Sequence, residues 1–420
     1  MIHIGLLCPA ETGHLNTMLP LGQELQRRGH RVTFLGIVDA RVKVVAAGLE
    51  FRSIGEVEFP AGASDRLFAE LGKLSGLAAL RYTLNWIEQS ALIFLAEGPS
   101  VLKDAGIDAL LVDQIAPEGG LVADLLDLPF VTICSALPFN QEPTIPPFFT
   151  TWIYNPAWWA VLRNQVVYQL TNPVGRSMQA LRRNYRKSWQ LPPETSPDSQ
   201  LAVLTHQPAE FEYPRQNLPA YFHFTGPYHN QTSRKQVDFP WDKLTGKPLI
   251  YASMGTLQNQ LSEVFLAIAS ACVGLDAQLV ISLGGASLES LPELPGDPLV
   301  VSYAPQLALL ERAAVAITHA GMNTALECLT YGVPMVAIPI TNDQPGVAAR
   351  IAWTGAGEIV PLSKLTAVRL QTALTSILTT PSYRQNALRL QQAIATSGGV
   401  SRAADIIEQA ISTRKPVVRT

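Results

Sequence analysis

The sequence has few cysteines, no large excess of charge of either sign and no long apolar run. Its four cysteines are scattered, each inside an apolar stretch, and no two have the spacing of a zinc site, so we expect buried and reduced thiols. The formal net charge of -3 over 420 residues provides no electrostatic footprint for nucleic acid, so no nucleic-acid partner is expected. Two domains are expected, because one hydrophobic core rarely supports so long a chain.

Signals for a membrane address are also scarce. The first residues, MIHIGLLCPAETGH, lack a basic leader and a small-residue cleavage site, so they do not predict a signal peptide. The most apolar segment, residues 146–170, is interrupted at Asn155-Pro156 and at Arg163-Asn164. It therefore falls short of the roughly 18 apolar residues that a spanning helix needs. We expect a cytoplasmic protein, with peripheral membrane contact through this segment as an alternative.

Two motifs are missing, and each absence counts against one chemistry. No Asp-x-Asp occurs in the chain, so a metal site of that type is not predicted. The first predicted strand is followed by Glu11-Thr12-Gly13-His14 and not by G-x-G-x-x-G. The sequence therefore disfavours a dinucleotide-dependent dehydrogenase.

The first half of the chain repeats a short apolar strand, a polar or glycine-containing turn, and a helix. The spacing of apolar residues predicts a helix over 15–29 and strands at 2–9, 31–37, 108–114 and 129–134. Strands and helices that alternate on this scale are typical of α/β proteins with a doubly wound parallel sheet.

The composition changes between residues 214 and 247, which are rich in Pro, Gly and polar residues, as in a linker. Beyond it the alternation restarts, with strands predicted at 248–255, 277–284, 298–304, 315–320 and 334–340. We therefore predict two Rossmann-like parallel-sheet domains that face each other across a cleft. The predicted bounds are a first domain at 1–215, a linker at 216–247, a second domain at 248–385, and at 386–420 a helical segment that packs back on the first domain.

Three polar loops follow predicted strands of the second half, at residues 253–259, 302–306 and 318–327. In an open parallel sheet, ligands bind at the carboxyl ends of the strands, so these loops are expected to line one site. The third loop runs into a helix predicted to begin near Asn323, whose backbone N–H groups would face an anion, while Gly321 lets a ligand approach the main chain. A strand–Gly–helix turn also occurs without a ligand, so taken alone this loop leaves a purely structural role open.

The polar residues of these loops form one pattern, which is Tyr303-Ala304-Pro305-Gln306, His319-x-Gly321-x-Asn323-Thr324-x-x-Glu327 and Asp343-Gln344. The pattern resembles the donor signature of family-1 glycosyltransferases, inverting enzymes of the two-Rossmann GT-B fold that use UDP-sugars. Within that family the chain most resembles bacterial carotenoid (zeaxanthin) glucosyltransferases, which share the patterns at 252–258, 318–324 and 343–351. The resemblance runs from the first strand to the last helix and is weakest at 55–105 and 140–235.

The resemblance implies a nucleotide-sugar-binding second domain and an acceptor-binding first domain. The implied contacts are uracil and ribose for Ala304 and Gln306, and the ribose hydroxyls for Glu327. The diphosphate is implied for Thr256, His319, Asn323 and Thr324, and the hexose hydroxyls for Asp343 and Gln344. The same resemblance places Gly13, Gly255, Gly321 and Met322 in the donor site. Tyr303 stands where plant members have a Trp under the uracil, and a Tyr can still stack there.

A catalytic pair is predicted in the first domain. Sugar transfer to an alcohol needs a base for the acceptor proton, and His14 lies after the first strand at the head of a helix. Proximity to a helix start favours a lowered pKa and a neutral imidazole. Asp113 ends another strand of the same sheet and would orient that imidazole, as the equivalent pair does in the resembled family. Alone, His14 could be a turn residue and Asp113 a helix cap.

The acceptor site is predicted from aromatic residues between 145 and 162, chiefly Phe148, Trp152 and Trp158. An ordinary aromatic core would explain them. The functional alternative is an apolar acceptor channel whose mouth rests on a membrane surface, because Trp and Tyr favour that interface.

The predicted function is inverting, UDP-sugar-dependent transfer, with UDP-glucose as the expected donor and a hydroxyl of a carotenoid, terpenoid or polyphenol as acceptor. We expect no cofactor and no metal requirement, because the helix start at 321–324 can stabilise the departing diphosphate. The alternatives are a non-hydrolysing sugar-nucleotide epimerase and a non-catalytic glycosyltransferase-like helper protein. The sequence leaves the acceptor, the donor sugar beyond a UDP-hexose and the oligomeric state open.

Overall fold

A computed structural model of the chain describes residues 1–71, 76–194, 196–228, 237–255 and 262–419. These residues form two parallel β-sheets, and helices cover both faces of each sheet. The predicted α/β class, with two Rossmann-like domains, is therefore confirmed. Within the described residues, no helix combines the length and the apolarity that crossing a bilayer requires.

The first sheet has seven strands in the order β3-β2-β1-β4-β5-β6-β7. Its strands are β1 (His3–Leu7), β2 (Arg31–Gly36), β3 (Glu50–Ser53), β4 (Ala109–Asp113), β5 (Phe130–Cys134), β6 (Val203–Thr205) and β7 (Phe222–Phe224). The helices of this part of the chain are α1 (Thr12–Arg27), α2 (Arg41–Ala46), α3 (Ala63–Leu71), α4 (Gly76–Ala105), α5 (Glu118–Leu126), α6 (Trp158–Thr171) and α7 (Arg176–Ser188). Strand order reverses between β1 and β4, and such switch points are where doubly wound sheets open a crevice.

The second sheet has six strands in the order β10-β9-β8-β11-β12-β13. They are β8 (Leu249–Ser253), β9 (Gln278–Ser282), β10 (Leu299–Val301), β11 (Ala313–Thr318), β12 (Met335–Ala337) and β13 (Gly357–Ile359). The helices that follow β8 are α8 (Ser262–Cys272), α9 (Gln306–Leu310), α10 (Met322–Thr330), α11 (Gln344–Trp353), α12 (Ala367–Thr379), α13 (Pro381–Thr396) and α14 (Gly399–Thr413). Here the order reverses between β8 and β11.

Central strands are apolar throughout because both faces of each sheet are covered. All five residues of β1, β4 and β8 are buried, which is the pattern expected of parallel strands under helices. On one face of the first sheet, Leu15 and Met18 of α1 lie in the same apolar cluster as Ile407 and Ala410 of α14. Each buried Leu or Ile of this kind contributes about 2 kcal/mol.

The predicted linker and C-terminal segment differ from the structure at their edges. β7 lies inside the predicted linker 216–247 and pairs with β6 of the first sheet. The sequence does not predict this strand, because three residues are too few to show a period of two. The predicted segment 386–420 divides in two: α13 packs on α10 of the second domain, and α14 packs on α1 of the first. The chain crosses between them at Gly398-Gly399, where both residues have positive φ.

The chain passes between the domains twice, and the two passages touch. The amide of Gly399 donates to the carbonyl of Thr225, just after β7, at 2.7 Å. A Cβ on Gly226 would lie 2.6 Å from Cβ of Ser397, so only glycine fits there. Arg350 of α11 adds a buried ion pair with Glu212, which lies between β6 and β7.

Candidate active site

His14 and Asp113 meet at the switch point of the first sheet. His14 lies in the first turn of α1, which follows β1, and Asp113 ends β4. His14 Nδ1 lies 2.8 Å from Oδ2 of the fully buried Asp113, whose Oδ1 accepts the amide of Ile115 at 2.9 Å. The imidazole is one-fifth exposed, whereas Asp113 is fully buried. The helix starts at Thr12, three residues earlier than the sequence predicts.

The predicted lowering of the His14 pKa is wrong. Burial does lower it, but the carboxylates of Asp113, Glu11 and Asp343 outweigh burial and raise the pKa of His14 to about 9. The sequence argument considered only the helix dipole, which is weak beside a hydrogen-bonded carboxylate. The imidazole of the unliganded protein is therefore protonated at neutral pH.

His319 follows β11 at the switch point of the second sheet, directly before α10. A Cβ on Gly321 would lie 2.5 Å from its Nε2, and one on Gly255 would lie 2.6 Å from its Cε1, so the ring fits only between two glycines. Burial lowers the pKa of His319 to about 4, which leaves a neutral imidazole. Between the ring and the helix, buried Ala320 has a φ of 63°, a conformation that non-glycine residues adopt rarely and at a cost.

The other residues of this turn open α10. Gly321 is the N-cap, and Met322 is buried beneath the helix start. Thr324 is half-buried in the first turn. Thr256, the predicted partner across this turn, lies outside the described residues.

The predicted nucleotide contacts form a connected group. Gln306 donates from Nε2 to buried Glu327 at 2.5 Å and accepts from the hydroxyl of Tyr251 at 3.0 Å. Tyr303 is 53% exposed, so its ring is open to a stacking partner, and its hydroxyl lies over Gly285. Ala304, between them in sequence, is half-buried against the core of the second domain.

Asn323, in the second domain, contacts the first domain. Its amide Nδ2 donates to the carbonyl of Gly13 at 2.8 Å, and its Oδ1 lies 3.5 Å from the hydroxyl of Thr17. The start of α10 thus touches the first turn of α1, next to His14. In this structure the side chain therefore joins the two domains, and its contact with a diphosphate stays a prediction.

Asp343 and Gln344 stand at the start of α11. Asp343 Oδ2 accepts the amide of Leu137, from the loop after β5, at 3.1 Å, so this predicted sugar contact also faces the first domain. Burial raises the pKa of Asp343. Gln344 Oε1 accepts the amides of Ile340 and Thr341 at 2.9 and 3.0 Å, which fixes the loop that presents Asp343.

The three predicted acceptor residues have different surroundings. Phe148 contacts the rings of Phe139 and Phe149, and its carbonyl lies against Gly346 of α11. Trp152 lies under the guanidinium of Arg163, which is 3.9 Å from the ring centroid. Trp158 is 77% exposed at the start of α6, so the core explanation is wrong for this residue.

Sequence reasoning missed several residues of the site. The most important is Glu11, the N-cap of α1, whose charge raises the pKa of His14. Leu137 and Tyr251 act through a backbone amide and a hydroxyl in buried apolar segments. A position after the first strand could have indicated Glu11, but nothing in the sequence distinguishes the other two.

A family model described as UDP-glucoronosyl and UDP-glucosyl transferase matches residues 88–395. Together with the two-sheet fold and full-length relatives, this shows that the chain belongs to that family, the family-1 glycosyltransferases of GT-B fold. The resemblance predicted from the sequence is confirmed, and the chain is a UDP-glycosyltransferase.

Among its relatives, zeaxanthin glucosyltransferase of Pantoea ananas is 32% identical over 425 residues, covering 100% of this chain and 98% of that protein. The 4'-demethylrebeccamycin synthase of Lentzea aerocolonigenes is 28% identical, over 94% of this chain and 96% of that one. Among solved structures, the glycotransferase of kitacinnamycin has a TM-score of 0.76 at 23% identity and covers 97% of this chain, 98% of its own. Glycosyltransferase VinC, in complex with DTDP, has a TM-score of 0.71 at 18% identity, covering 98% of this chain and 100% of its own. These two structures support the fold.

Proposed function

We propose that this enzyme transfers a hexose from a UDP-sugar, with UDP-glucose as the donor, to a hydroxyl of a hydrophobic small molecule with inversion at the anomeric carbon. One observation carries the proposal: His14, paired with Asp113, lies in the first turn of α1, and that turn contacts the first turn of α10. That contact is the hydrogen bond that Asn323 Nδ2 donates to the Gly13 carbonyl at 2.8 Å. A base and an anion-binding helix start therefore share one space.

The proposed step uses the neutral form of His14, whose fraction rises as the pH approaches its pKa of about 9. In that form, the acceptor O–H gives its proton to Nε2 of the imidazole. The acceptor oxygen forms a bond to the anomeric carbon while the bond from that carbon to the UDP oxygen breaks, and UDP leaves with the electron pair. Attack from the face opposite the leaving group converts an α-linked donor into a β-glycoside. Asp113 stabilises the imidazolium that results, which later loses its proton to solvent.

The departing diphosphate would be held by neutral groups of the second domain. The backbone amides at the start of α10 would donate to the departing diphosphate. His319 would donate to it as a neutral imidazole, because its pKa is about 4. Tyr303 would stack on the uracil, and the Gln306–Glu327 pair would bind the ribose. Asp343, Gln344 and the predicted Thr256 complete the proposed donor site.

The hydrophobic acceptor is proposed from the aromatic cluster of Phe139, Phe148 and Phe149, which lies against Gly346 at the start of α11. The relative named zeaxanthin glucosyltransferase makes a carotenoid a reasonable first substrate to test. We further propose that the enzyme acts in the cytoplasm, in peripheral contact with a membrane, because such acceptors partition into lipid.

The proposed base is tested with His14→Ala. We expect UDP release with a hydroxylated carotenoid to fall about 10³-fold, while UDP affinity, measured by calorimetry, stays near the wild-type value. Retained turnover would remove His14 from the mechanism. EDTA is expected to leave the wild-type rate unchanged.

The two rival functions give different outcomes in the same assay. Isomerised UDP-sugar formed without acceptor would indicate an epimerase. UDP binding with no turnover on any hydrophobic alcohol would indicate a non-catalytic helper. Product mass and the anomeric coupling in its NMR spectrum test the inversion.

A further inference from the structure

Helix α6 turns its large apolar residues towards solvent. The exposed members are Trp158, Trp159, Leu162, Val166 and Leu170, with Trp158 at 77% and Leu170 at 72%. At 100° per residue these five positions lie within an arc of about 120°. The opposite side holds Ala160 and Asn164, both fully buried. A helix that only covers a core has the reverse arrangement, so this face suits an apolar partner.

The helix is held firmly in this orientation. Asn164 Nδ2 donates to the carbonyl of Pro143 at 3.0 Å, and the hydroxyl of Tyr168 donates to the carbonyl of Ile145 at 3.0 Å. Both bonds come from the inner side of α6 to the loop that precedes it. Rotation of the apolar face into the protein would break both and leave the amide of Asn164 unpaired.

The segment of the chain that contains α6 and α7 carries charges of one sign. No Asp or Glu occurs from Pro143 to Pro193, although the whole chain has a net charge of -3. The same segment carries six cations, which are Arg163, Arg176, Arg182, Arg183, Arg186 and Lys187. Arg182 and Arg186 are buried and pair with Glu194 and Asp124, whereas Arg176, Arg183 and Lys187 are exposed. Exposed apolar side chains on one helix and exposed cations on the next helix of the chain suit anionic headgroups above acyl chains.

The loop that holds α6 also reaches the cleft. Leu137, near its start, donates its amide to Asp343 at 3.1 Å. Further along, Phe139 and Phe149 are each more than one-third exposed on either side of Phe148, whose carbonyl lies against Gly346. The same loop therefore contacts α6 through Pro143 and Ile145, contacts Asp343 through Leu137, and carries exposed apolar side chains.

We propose that the exposed face of α6, together with the exposed cations Arg176, Arg183 and Lys187 of the following helix α7, docks on the surface of an anionic lipid bilayer. A hydrophobic acceptor then passes from the bilayer to the cleft along the loop at 137–149. The passage of the acceptor rests on the proposed function, whereas docking of α6 on a bilayer can be tested without catalysis. A second copy of the chain or another protein would cover the apolar residues without needing the excess of cations.

The test is flotation of the full chain with vesicles of phosphatidylglycerol and phosphatidylethanolamine, compared with phosphatidylcholine vesicles. The wild type is expected to float with the anionic vesicles, and the double variant Trp158→Gln/Leu162→Gln to bind them about tenfold or more weakly. Arg183→Glu/Lys187→Glu is expected to lose binding to anionic vesicles specifically. Val368→Gln, which replaces a 75% exposed residue of α12 in the other domain, is the matched control and should float like the wild type.

Each outcome decides the matter separately from catalysis. Absence of wild-type flotation, or unchanged flotation of both double variants, would overturn the docking surface. Concentration-dependent dimers that Trp158→Gln/Leu162→Gln abolishes, without vesicle binding, would assign the face to a second copy. UDP release with a water-soluble hydroxylated acceptor, measured without vesicles, should be the same in Arg183→Glu/Lys187→Glu and Val368→Gln as in the wild type. Loss of that activity in the wild type would refute the proposed function and leave the flotation result standing.

Discussion

His14 and His319 lie at the switch points of the two sheets, and each stands beside the start of a helix, yet their environments are opposite. Three carboxylates surround His14 and raise its pKa to about 9. His319 lies between two glycines, where burial lowers its pKa to about 4. The same local motif therefore yields a strong base in one domain and a neutral hydrogen-bond donor in the other. The difference comes from tertiary neighbours and not from the motif.

The largest expected effect that tests this comparison is that of Asp113→Asn. Below pH 9, the wild-type kcat/KM should rise about tenfold per pH unit, because the neutral fraction of His14 rises. Without the carboxylate, the pKa of His14 falls and this limb of the pH profile moves to lower pH. The maximal rate should fall about 10²-fold or more, because the imidazolium loses its stabilising partner.

The control for that profile is Asp104→Asn, at an exposed position of α4, which should leave both rate and limb unchanged. A limb that stays at the wild-type pH in Asp113→Asn would show that another group raises the pKa of His14.

His319→Ala tests the other half of the comparison. The apparent affinity for the UDP-sugar should fall about tenfold, from loss of one neutral hydrogen bond to the diphosphate. The part of the pH profile that rises below pH 9 should not move, because it reports the protonation of His14 and not of His319. Steady-state kinetics as a function of donor concentration and pH measures both. A shifted limb would argue against separate roles for the two histidines.

The smallest expected effect comes from a matched pair of glycines in the two turns. In Gly321→Ala the new methyl group would meet the His319 ring at 2.5 Å, so we expect a loss of about 1–3 kcal/mol in stability. In Gly13→Ala the nearest atom would be 3.8 Å away. That substitution should be neutral, or stabilising by up to about 1 kcal/mol through helix propensity.

Thermal unfolding of the two variants measures this difference directly. Equal melting temperatures would mean that the His319 ring can move aside, and that the glycine is not required for packing.

Much of the fold could be predicted because its central strands are continuous apolar runs. β1, β4 and β8 are buried on both faces and bounded by polar turns, so their positions were evident. The short strands β3, β6, β7 and β13, of three or four residues, give no such pattern. The same holds for the crossing at Gly398-Gly399, whose destination depends on which surface α14 covers.

The site divides in the same way. The turn residues His14 and His319 were found because motif position marks them. The bonds of Asn323 and Asp343 to the first domain depend on how two separate domains meet, and no local pattern contains that information. The His14 pKa was mispredicted for this reason, since two of its three carboxylates are distant in sequence.

The contact between Gly399 and Thr225 has a mechanical consequence. Both passages of the chain meet at this contact, so we expect it to act as the hinge about which the two domains rotate apart. Atoms near the hinge would move little, while the parts of the two sheets farthest from it would move most. A spent nucleotide would therefore leave from the side opposite Gly399.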